Sequence, residues 1–346
     1  MPKSPLISLF HLFPPEMAHH LAVQALRYGL VPPQPRVVSP ALETTLAGVP
    51  IANPVGLAAG FDKNAETIAA LAGQGFGFGE CGTVTPLPQP GNPKPRIFRL
   101  KDEEAVVNRL GFNNDGLEAF AARLAAPRSF PIGANLGKNK DATDALADYV
   151  TGATRCYPLA QYLTVNISSP NTQGLRDLQA AEPFGQLVSA VTQVRRQLME
   201  TEGQPHKPIF FKLAPDLEAD AIRALCDILV EGGADGAILS NTTITRPVAF
   251  DGAGGLSGKP LQPLARAALH TAYAHAGDRL TFISAGGIDS AEEAYARLRA
   301  GASAVQLYTA LTYQGMGLVT QIKRGLIAFL QQDGFANVRE AIGVGA

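Results

Sequence analysis

From residue 41 onward, short apolar runs alternate with segments in which apolar residues recur at helical spacing. The runs lack the strict alternation of half-exposed strands, which is typical of parallel strands buried on both faces. The candidate strands occupy residues 54–59, 77–82, 132–136, 162–167, 209–213, 236–240, 281–285 and 304–308. Candidate helices between them include residues 65–72, 184–198, 219–230, 263–276 and 290–300. Eight strand–helix units predict an α/β fold, the (β/α)8 TIM barrel.

The first 40 residues follow a different pattern and predict a small N-terminal extension of two short helices. A helix is expected to begin near Pro15, because proline fits the first helical turn and Glu16 favours the positive end of the dipole. Its apolar positions at helical spacing are Met17, Leu21, Ala25 and Tyr28. Two such helices cannot bury a core of their own, so they must cover another surface or lie on a membrane. We therefore divide the chain at residue 40, with a barrel domain at 41–346.

Two further segments depart from the strand–helix alternation. Residues 85–128 form a long, proline-rich insertion after the second strand, and residues 44–51 predict a hairpin that plugs the bottom of the barrel. The loop at 254–258, rich in glycine, is expected to be flexible. In a barrel of this type the chemistry belongs at the carboxyl ends of the strands, so the residues there carry the functional argument.

Composition and charge exclude several classes of function. The 346 residues carry 29 basic and 30 acidic side chains, a net charge of −1, which argues against a nucleic-acid binder. Cys81, Cys156 and Cys226 lack the spacing of metal ligands or redox pairs and fit core positions in a reducing compartment. No segment resembles a secretory signal or a bilayer span, which predicts a soluble or peripheral protein.

Residues 166–171, Asn-Ile-Ser-Ser-Pro-Asn, are the most informative stretch of the chain, and they follow the apolar run 162–165. Two amides and two hydroxyls at the end of a buried strand cost desolvation unless they bind something. This favours a site for a small polar molecule, although a polar loop that caps the next helix is the simpler alternative. The other strand ends add amides, hydroxyls and two lysines but no histidine or cysteine cluster, so no metal site is expected.

Two features suggest an anionic ligand. Gly286-Gly287 follows the seventh strand, and loops seven and eight are the usual phosphate site of such barrels, although two glycines can also simply turn the chain. Lys212 ends the fifth strand, where a buried ammonium needs an anionic partner. It could sit beside a reduced flavin, which is anionic near N1, or form a Schiff base as in barrel aldolases. The amide-rich ring favours the flavin.

Several motifs along the sequence resemble those of a known family. The shared motifs are NPVGLAAGFDK at 53–63, GTVTP at 82–86, PQPGN at 88–92, NRLGFN at 108–113, NISSPN at 166–171 and GGLSG at 254–258. In this order they resemble the quinone-dependent, class 2 dihydroorotate dehydrogenases over nearly the whole chain. The resemblance implies one non-covalent FMN per chain and oxidation of (S)-dihydroorotate to orotate, the fourth step of pyrimidine synthesis.

The resemblance also assigns the chemistry to residues. Ser169 matches the catalytic base that removes the proton from C5 of the substrate while hydride leaves C6 for flavin N5. The soluble class has cysteine at this position, so Ser169 itself supports class 2. Serine is a weak base at neutral pH, and Thr172 and Phe112 match positions that organise the exit of the proton.

Binding positions carry over in the same way. Those that match substrate contacts are Lys63, Asn108, Arg109, Leu110, Gly111, Phe112, Asn166, Asn171, Asn241 and Thr242. Those that match flavin contacts are Ala59, Gly60, Phe61, Asp62, Lys63, Thr83, Asn135, Asn166, Lys212, Ser240, Gly258, Gly287, Tyr308 and Thr309. Ser240 stands where threonine is common and Thr309 where serine is common, and both keep the hydroxyl.

The N-terminal segment indicates which electron acceptor the protein uses. In class 2 such helices form an apolar tunnel to the flavin, and His19, Arg99 and Tyr308 match residues that contact the quinone head group. Without the resemblance, His19 would be taken for a helix-face histidine and Arg99 for a surface ion-pair residue. The resemblance further implies a monomer bound peripherally at the cytoplasmic face of a bacterial inner membrane, with ubiquinone or menaquinone as acceptor.

Three alternatives remain open from the residues themselves. A soluble class 1 enzyme would use fumarate or NAD as acceptor, and Ser169 and the N-terminal segment argue against it. A Schiff-base aldolase would use Lys212 and bind no chromophore. A non-catalytic barrel that binds a phosphate ligand or a partner protein would leave Ser169 and Lys63 without a role.

Overall fold

A computed structural model of the protein describes residues 5–346. Within this range eight parallel strands form a closed barrel in the order β3-β4-β7-β8-β9-β10-β12-β13, which confirms the predicted (β/α)8 fold. The barrel strands are β3 (Val55–Leu57), β4 (Phe78–Val84), β7 (Ile132–Leu136), β8 (Tyr162–Asn166), β9 (Ile209–Leu213), β10 (Gly236–Leu239), β12 (Thr281–Ala285) and β13 (Ala304–Leu307). The remaining strands are β1 (Thr44–Leu46), β2 (Val49–Ile51), β5 (Ile97–Leu100), β6 (Ala105–Asn108) and β11 (Gly255–Gly258).

Helices surround the barrel and extend the chain at both ends. They are α1 (Pro5–Phe10), α2 (Pro15–Arg27), α3 (Ile68–Ala72), α4 (Leu117–Leu124), α5 (Ala145–Cys156), α6 (Ala181–Glu202), α7 (Ala219–Glu231), α8 (Gln262–Ala276), α9 (Ala291–Arg299), α10 (Thr309–Gln314), α11 (Gly317–Asp333) and α12 (Val338–Ala341). Short 3-10 turns occur at Pro40–Leu42, Arg176–Gln179 and Lys259–Leu261. Apolar residues on the inner faces of these helices pack against the outside of the barrel, which is therefore buried on both faces.

The predicted hairpin at residues 44–51 is confirmed as β1 and β2, which pair in antiparallel register. Leu46 and Ile51 pack with Phe78 and Phe210 in one buried cluster inside the barrel. Phe78 and Phe210 lie at or near the amino ends of their strands. The hairpin therefore fills the bottom of the barrel.

The expectation of a flexible loop at 254–258 is wrong. Gly255–Gly258 is strand β11, which pairs with β6 of the insertion in a three-stranded antiparallel sheet. Glycine at these positions allows the two backbones to approach each other closely. A Cβ atom at Gly258 would lie 2.4 Å from the carbonyl oxygen of Glu104, and one at Gly254 would lie 2.6 Å from that of Asn108. The sheet fixes the insertion over one side of the barrel mouth.

Helix α2 covers another side of the mouth. It buries Ala18, Val23 and Leu26, and its Glu16 carboxylate accepts a hydrogen bond from Arg96 Nη2 at 2.7 Å. The four apolar positions that were predicted at helical spacing do not form one buried face of this helix. Met17 is 48% exposed, and Tyr28, just past the end of the helix, is 69% exposed.

The N-terminal part of the chain exposes several large apolar side chains. We call them the N-terminal apolar set: Leu9, Leu12, Met17, Tyr28, Leu30 and Val38. No helix within residues 5–346 is both long and apolar enough to cross a bilayer. The set leaves apolar surface open beside the entrance to the barrel.

Candidate active site

A single cavity of about 720 Å³ joins the carboxyl ends of the barrel strands to the underside of α1 and α2. Its inner wall contains Lys212 and Ser240, and its outer wall contains His19 and Phe10. It brings together most of the predicted site residues. These are Ala59, Gly60, Phe61, Lys63, Thr83, Arg99, Asn108, Leu110, Gly111, Phe112, Asn166, Ser169, Asn171, Lys212, Ser240, Asn241, Thr242, Gly258, Gly287, Tyr308 and Thr309, with His19 beside them.

Four predicted residues lie outside the cavity wall. Asp62 accepts hydrogen bonds from Glu66 N and from the amide and hydroxyl of Thr67, so it orders the loop that carries Lys63. Arg109 donates to the carbonyl of Pro95. Asn135 is fully buried just behind the wall, and Thr172 is buried with a hydroxyl that has no hydrogen-bond partner among the described residues. Asn135 accepts hydrogen bonds from Thr83 and Asn166, which line the cavity, and Thr172 follows Asn171, which also lines it.

The substrate-side loop is ordered by its own polar atoms. The Asn171 backbone N–H donates to Ser169 Oγ at 3.3 Å, and the Asn171 side chain donates to Asn108 Oδ1 at 3.1 Å. Thr242 N–H donates to Asn241 Oδ1 at 2.8 Å. Phe112 holds a left-handed backbone with φ of 53°, a strained conformation for a phenylalanine that tends to occur at functional positions. Residues from three separate segments, at 108–112, 169–171 and 241–242, therefore converge on one pocket of amides and hydroxyls.

Two lysines supply positive charge to the cavity. Lys63 Nζ donates to the carbonyl of Gly60 at 3.0 Å, and burial together with Arg96 lowers its pKa to about 8. Lys212 is buried, which lowers its pKa, while the negative charge of Glu80 opposes that shift. No ion pair of Lys212 occurs within the described part of the chain. An anionic ligand would therefore be attracted to both ammonium groups.

The loop after β12 has the geometry of an anion cradle. Gly286 and Gly287 both have positive φ, at 101° and 79°, and a Cβ at Gly287 would meet Gln262 Cγ at 2.4 Å. The buried Arg297 guanidinium donates to the carbonyl of Gly286 at 3.0 Å and to Ser284 Oγ at 2.8 Å. With these contacts the loop holds its backbone in one conformation, as pre-formed phosphate sites do.

The outer end of the cavity is aromatic. Tyr308 O–H and His19 Nδ1 lie 3.2 Å apart, and Phe61 meets both rings edge-on. Burial, with a further contribution from Lys63, lowers the pKa of His19 well below its usual value of 6.5, so the ring is neutral. The Arg99 guanidinium donates to the carbonyls of Phe10 and Phe13. Arg99 thus also holds the end of α1 in place.

Sequence reasoning missed several residues of this site. Glu80, Gln306 and Arg297 are fully buried and hydrogen-bonded around the cavity, and Ser257 lines it. A signal existed for Glu80, because it interrupts the apolar run 77–82 with a carboxylate. Arg297 lies on an amphipathic helix with exposed charges, so its sequence context did not distinguish it.

Comparison with known proteins agrees with this geometry. A family model described as "Dihydroorotate dehydrogenase" matches residues 41–330. "Dihydroorotate dehydrogenase (quinone)" of Parvibaculum lavamentivorans is 49% identical over 97% of this chain and 96% of its own length. The protein of the same name from Xanthobacter autotrophicus is 48% identical over 97% of each chain.

A solved structure extends the likeness to three dimensions. The crystal structure of DHODH from Eimeria tenella in complex with ferulenol has a TM-score of 0.91 and 38% identity, covering 95% of each chain. The family model, the full-length relatives and this structure all agree with the resemblance carried by the motifs. The chain therefore belongs to the dihydroorotate dehydrogenase family, and its relatives place it in the quinone-dependent class.

Proposed function

We propose that this protein oxidises dihydroorotate to orotate with FMN as prosthetic group and passes the electrons to a membrane quinone. The family is flavin-dependent. The observation that carries the proposal is the continuity of the cavity, which connects Ser169 and Lys212 at the barrel mouth with His19 and Tyr308 under the N-terminal helices. One cavity with a polar inner end and an aromatic outer end suits a polar reductant and an apolar oxidant.

The residues present fit a flavin mononucleotide. Gln306 faces the cavity, and its Oε1 is a buried acceptor without a partner among the described residues, as an N–H of a heterocycle would require. Gly286 and Gly287 offer backbone N–H groups to a phosphate, and Lys212 offers a positive charge to an electron-rich ring. When bound, FMN supplies the electron acceptor for the substrate and the electron donor for the quinone.

The substrate pocket is suited to a ring that carries a carboxylate and amide groups. Lys63 provides the cation for the carboxylate, while Asn108, Asn171 and Asn241 provide paired donors and acceptors. Because most of these groups are fixed by hydrogen bonds to the protein, little side-chain entropy is lost when the substrate binds.

Ser169 is the proposed base that takes the C5 proton onto Oγ. The N–H of Asn171 donates to this oxygen and would stabilise negative charge as the hydroxyl proton leaves. Within residues 5–346 no histidine, aspartate or glutamate hydrogen-bonds to Ser169, and we propose that a hydroxyl relays the proton. Thr172 Oγ1, which is buried and has no hydrogen-bond partner among the described residues, is suited to this relay, and Phe112 would shield it.

Residues 1–40 form the proposed quinone-access segment, with His19, Arg99 and Tyr308 at its inner end. The exposed N-terminal apolar set suits a lipid surface better than water. On this basis we propose peripheral attachment to a membrane, and from the resemblance of the motifs we propose a monomer at the cytoplasmic face of a bacterial inner membrane, where ubiquinone or menaquinone is available.

Anaerobic stopped-flow absorbance tests the proposal in two half-reactions. Dihydroorotate should bleach the flavin band of the purified protein, and a ubiquinone analogue should then restore it. Bleaching that quinone does not reverse, but fumarate or NAD does, would indicate class 1 chemistry. A colourless protein that cannot take up FMN would contradict the flavin proposal, and borohydride trapping of a substrate on Lys212 would then support the aldolase.

A further inference from the structure

Glu80 is a fully buried carboxylate on β4, inside the barrel and beneath the cavity. Donors from three other barrel strands converge on it. They are Asn135 Nδ2 at 2.7 Å, Thr164 Oγ1 at 2.9 Å, Gln306 Nε2 at 3.0 Å and Tyr162 O–H at 3.4 Å. Each of these contacts brings a donor to the carboxylate, so both of its oxygens act as acceptors and its burial is compensated.

The two oxygens of Glu80 have different tasks. Oε2 accepts from Thr164 and Gln306 and lies 3.4 Å from Tyr162 O–H, whose closer acceptor is the carbonyl of Gly79 at 3.0 Å. Among the described residues, Oε1 accepts from Asn135 alone. An ionised carboxylate can accept but not donate, so the Asn135 amide must turn its NH₂ group toward Glu80. Its carbonyl Oδ1 is then directed to the opposite side, toward the cavity wall.

The orientation of the Asn135 amide influences the orientation of the next amide, that of Asn166. Asn135 Oδ1 accepts from Thr83 Oγ1 and from Asn166 Nδ2, the latter at 3.3 Å. Asn166 Oδ1 then faces the loop, where it accepts from Ser168 Oγ at 3.1 Å and from Asn241 Nδ2 at 3.3 Å. Each amide turns its NH₂ group toward Glu80 and its carbonyl away from it.

We propose that Glu80 is a positioning residue that fixes the orientation of the Asn135 amide and through it supports that of Asn166, whose carbonyl also accepts from Ser168 N–H, and thereby sets the donor and acceptor pattern at the inner end of the substrate pocket. This inference rests on the proposed function, because orotate is the ligand that would report the pattern. Amide oxygen and nitrogen have nearly the same shape, so packing alone cannot select between the two orientations. An acceptor-only group at one end of the network can.

The first test is Glu80→Gln, which keeps the size of the side chain. The oxygen of the introduced glutamine stays with Thr164 and Gln306, because these two donors meet at one position. Its NH₂ group must then face Asn135, which forces that amide to reverse and sets it against Asn166. We expect orotate, titrated against flavin absorbance, to bind at least about tenfold more weakly, as for a buried hydrogen-bond mismatch.

The matched rescue is the double variant E80Q/N135D. The carboxylate introduced at position 135 accepts from the new amide at position 80 and also from Thr83 and Asn166, so the direction at Asn166 is restored. We expect orotate affinity to return to within about threefold of wild type, less than the effect of one net hydrogen bond. N135D alone places two carboxylates within hydrogen-bond distance and should be the weakest binder, recovering as the pH falls and the pair takes up a proton.

A further cycle separates orientation from charge. We expect E80Q to lower the unfolding midpoint of the wild-type protein. If Glu80 served only to balance the ammonium of Lys212, E80Q would not lower the unfolding midpoint of a K212M variant. We expect E80Q to lower the midpoint of K212M as well, because the Asn135 amide is reversed in both proteins.

The outcomes are distinct. Unchanged orotate affinity in E80Q, or a double variant that fails to fold or to recover binding, would overturn the inference. Recovery in the double variant supports it even if E80Q alone does not fold. A wild-type protein that does not bind orotate would contradict the proposed function instead, and the unfolding midpoints of the four proteins would then decide the orientation question.

Discussion

The phenol oxygen of Tyr308 lies 3.2 Å from Nδ1 of His19, although 289 residues separate them in the chain. Tyr308 follows the last barrel strand, and His19 lies on α2, so this contact joins the N-terminal segment to the barrel at the outer end of the cavity. Burial raises the pKa of Tyr308 and lowers that of His19, so both groups are neutral near pH 7. A neutral donor–acceptor pair suits an uncharged quinone head group.

Replacement of His19 by alanine should slow flavin reoxidation by a ubiquinone analogue by roughly tenfold, since one buried hydrogen-bonding partner is lost. Flavin reduction by dihydroorotate should be unaffected, because His19 lies at the outer end of the cavity. Stopped-flow absorbance measures both rates. His20→Ala is the control, as His20 is exposed on the same helix. Equal loss in both half-reactions would mean that His19 only supports the fold.

Orotate affinity should depend on pH through Lys63. Its pKa is lowered to about 8 by burial and by Arg96, against the opposing charges of Glu16 and Asp62. Below this pKa the ammonium is charged and can hold a carboxylate, and above it the charge is lost. We therefore expect affinity to be constant from pH 6 to 7 and to fall above about pH 8, by up to about tenfold per pH unit.

Lys63→Arg provides the control for this dependence, because a guanidinium keeps its charge across the range. Whatever its absolute affinity, this variant should show no decline between pH 8 and 9. A decline that persists in the variant would assign the titration to another group.

The barrel could be predicted because its strands are continuous apolar runs that a parallel, doubly buried sheet requires. The strands at 132–136, 209–213 and 281–285 have the predicted bounds. Glycine-rich segments were harder to interpret, because glycine occurs both in flexible loops and where two backbones pack closely together. At Gly255–Gly258 the sequence suggested a loop, whereas the partner strand that makes it β11 lies about 150 residues earlier.

The cavity wall could be predicted through strand ends and motifs, but the layer behind it could not. Glu80 and Arg297 act through contacts with residues from other strands, and such contacts depend on how the barrel closes. Asp62 illustrates the reverse case. It lies within a recognisable motif, yet its carboxylate caps the backbone of Glu66 and Thr67 instead of facing the cavity.

Arg297 should be important for both stability and flavin retention. It is fully buried, and its Nε donates to Glu293 Oε1 at 2.6 Å while its other nitrogens hold Ser284 and Gly286. Arg297→Met would leave Glu293 short of one partner and release the loop, at a cost of about 3 to 5 kcal/mol. Chemical denaturation and the FMN dissociation constant measure these effects.

Arg266→Met is the matched control, because Arg266 contacts the same carboxylate from a side chain that is 52% exposed. Its loss also removes a partner of the buried Glu293 carboxylate, so it should lower the free energy of unfolding as well, but it should leave FMN binding unchanged because the contact between Arg297 and Gly286 is kept. Comparable losses of FMN affinity in the two variants would show that the ion pair with Glu293 matters and that the contact with Gly286 does not.

The N-terminal apolar set should govern attachment to lipid. Leu12 and Leu30 are 80% and 74% exposed, so Leu12→Glu with Leu30→Glu should change the free energy of unfolding by less than about 0.5 kcal/mol. Sedimentation with phospholipid vesicles should nevertheless fall at least about tenfold, because each apolar side chain contributes about 1.5 to 3 kcal/mol when buried. Leu87→Glu with Val344→Glu, at exposed apolar sites elsewhere, should not alter sedimentation.

Ser169 offers the sharpest separation of binding from chemistry. Among the described residues its hydroxyl makes no hydrogen bond besides the one it accepts from Asn171 N–H, so Ser169→Ala should keep the flavin spectrum and orotate affinity near wild type. Flavin reduction by dihydroorotate should slow by about 100-fold or more, the usual contribution of a general base. Ser169→Cys, which places a more acidic group at the same position, should retain more of the rate than alanine. Undiminished reduction in the alanine variant would exclude Ser169 as the base and transfer the role to another group that faces the cavity.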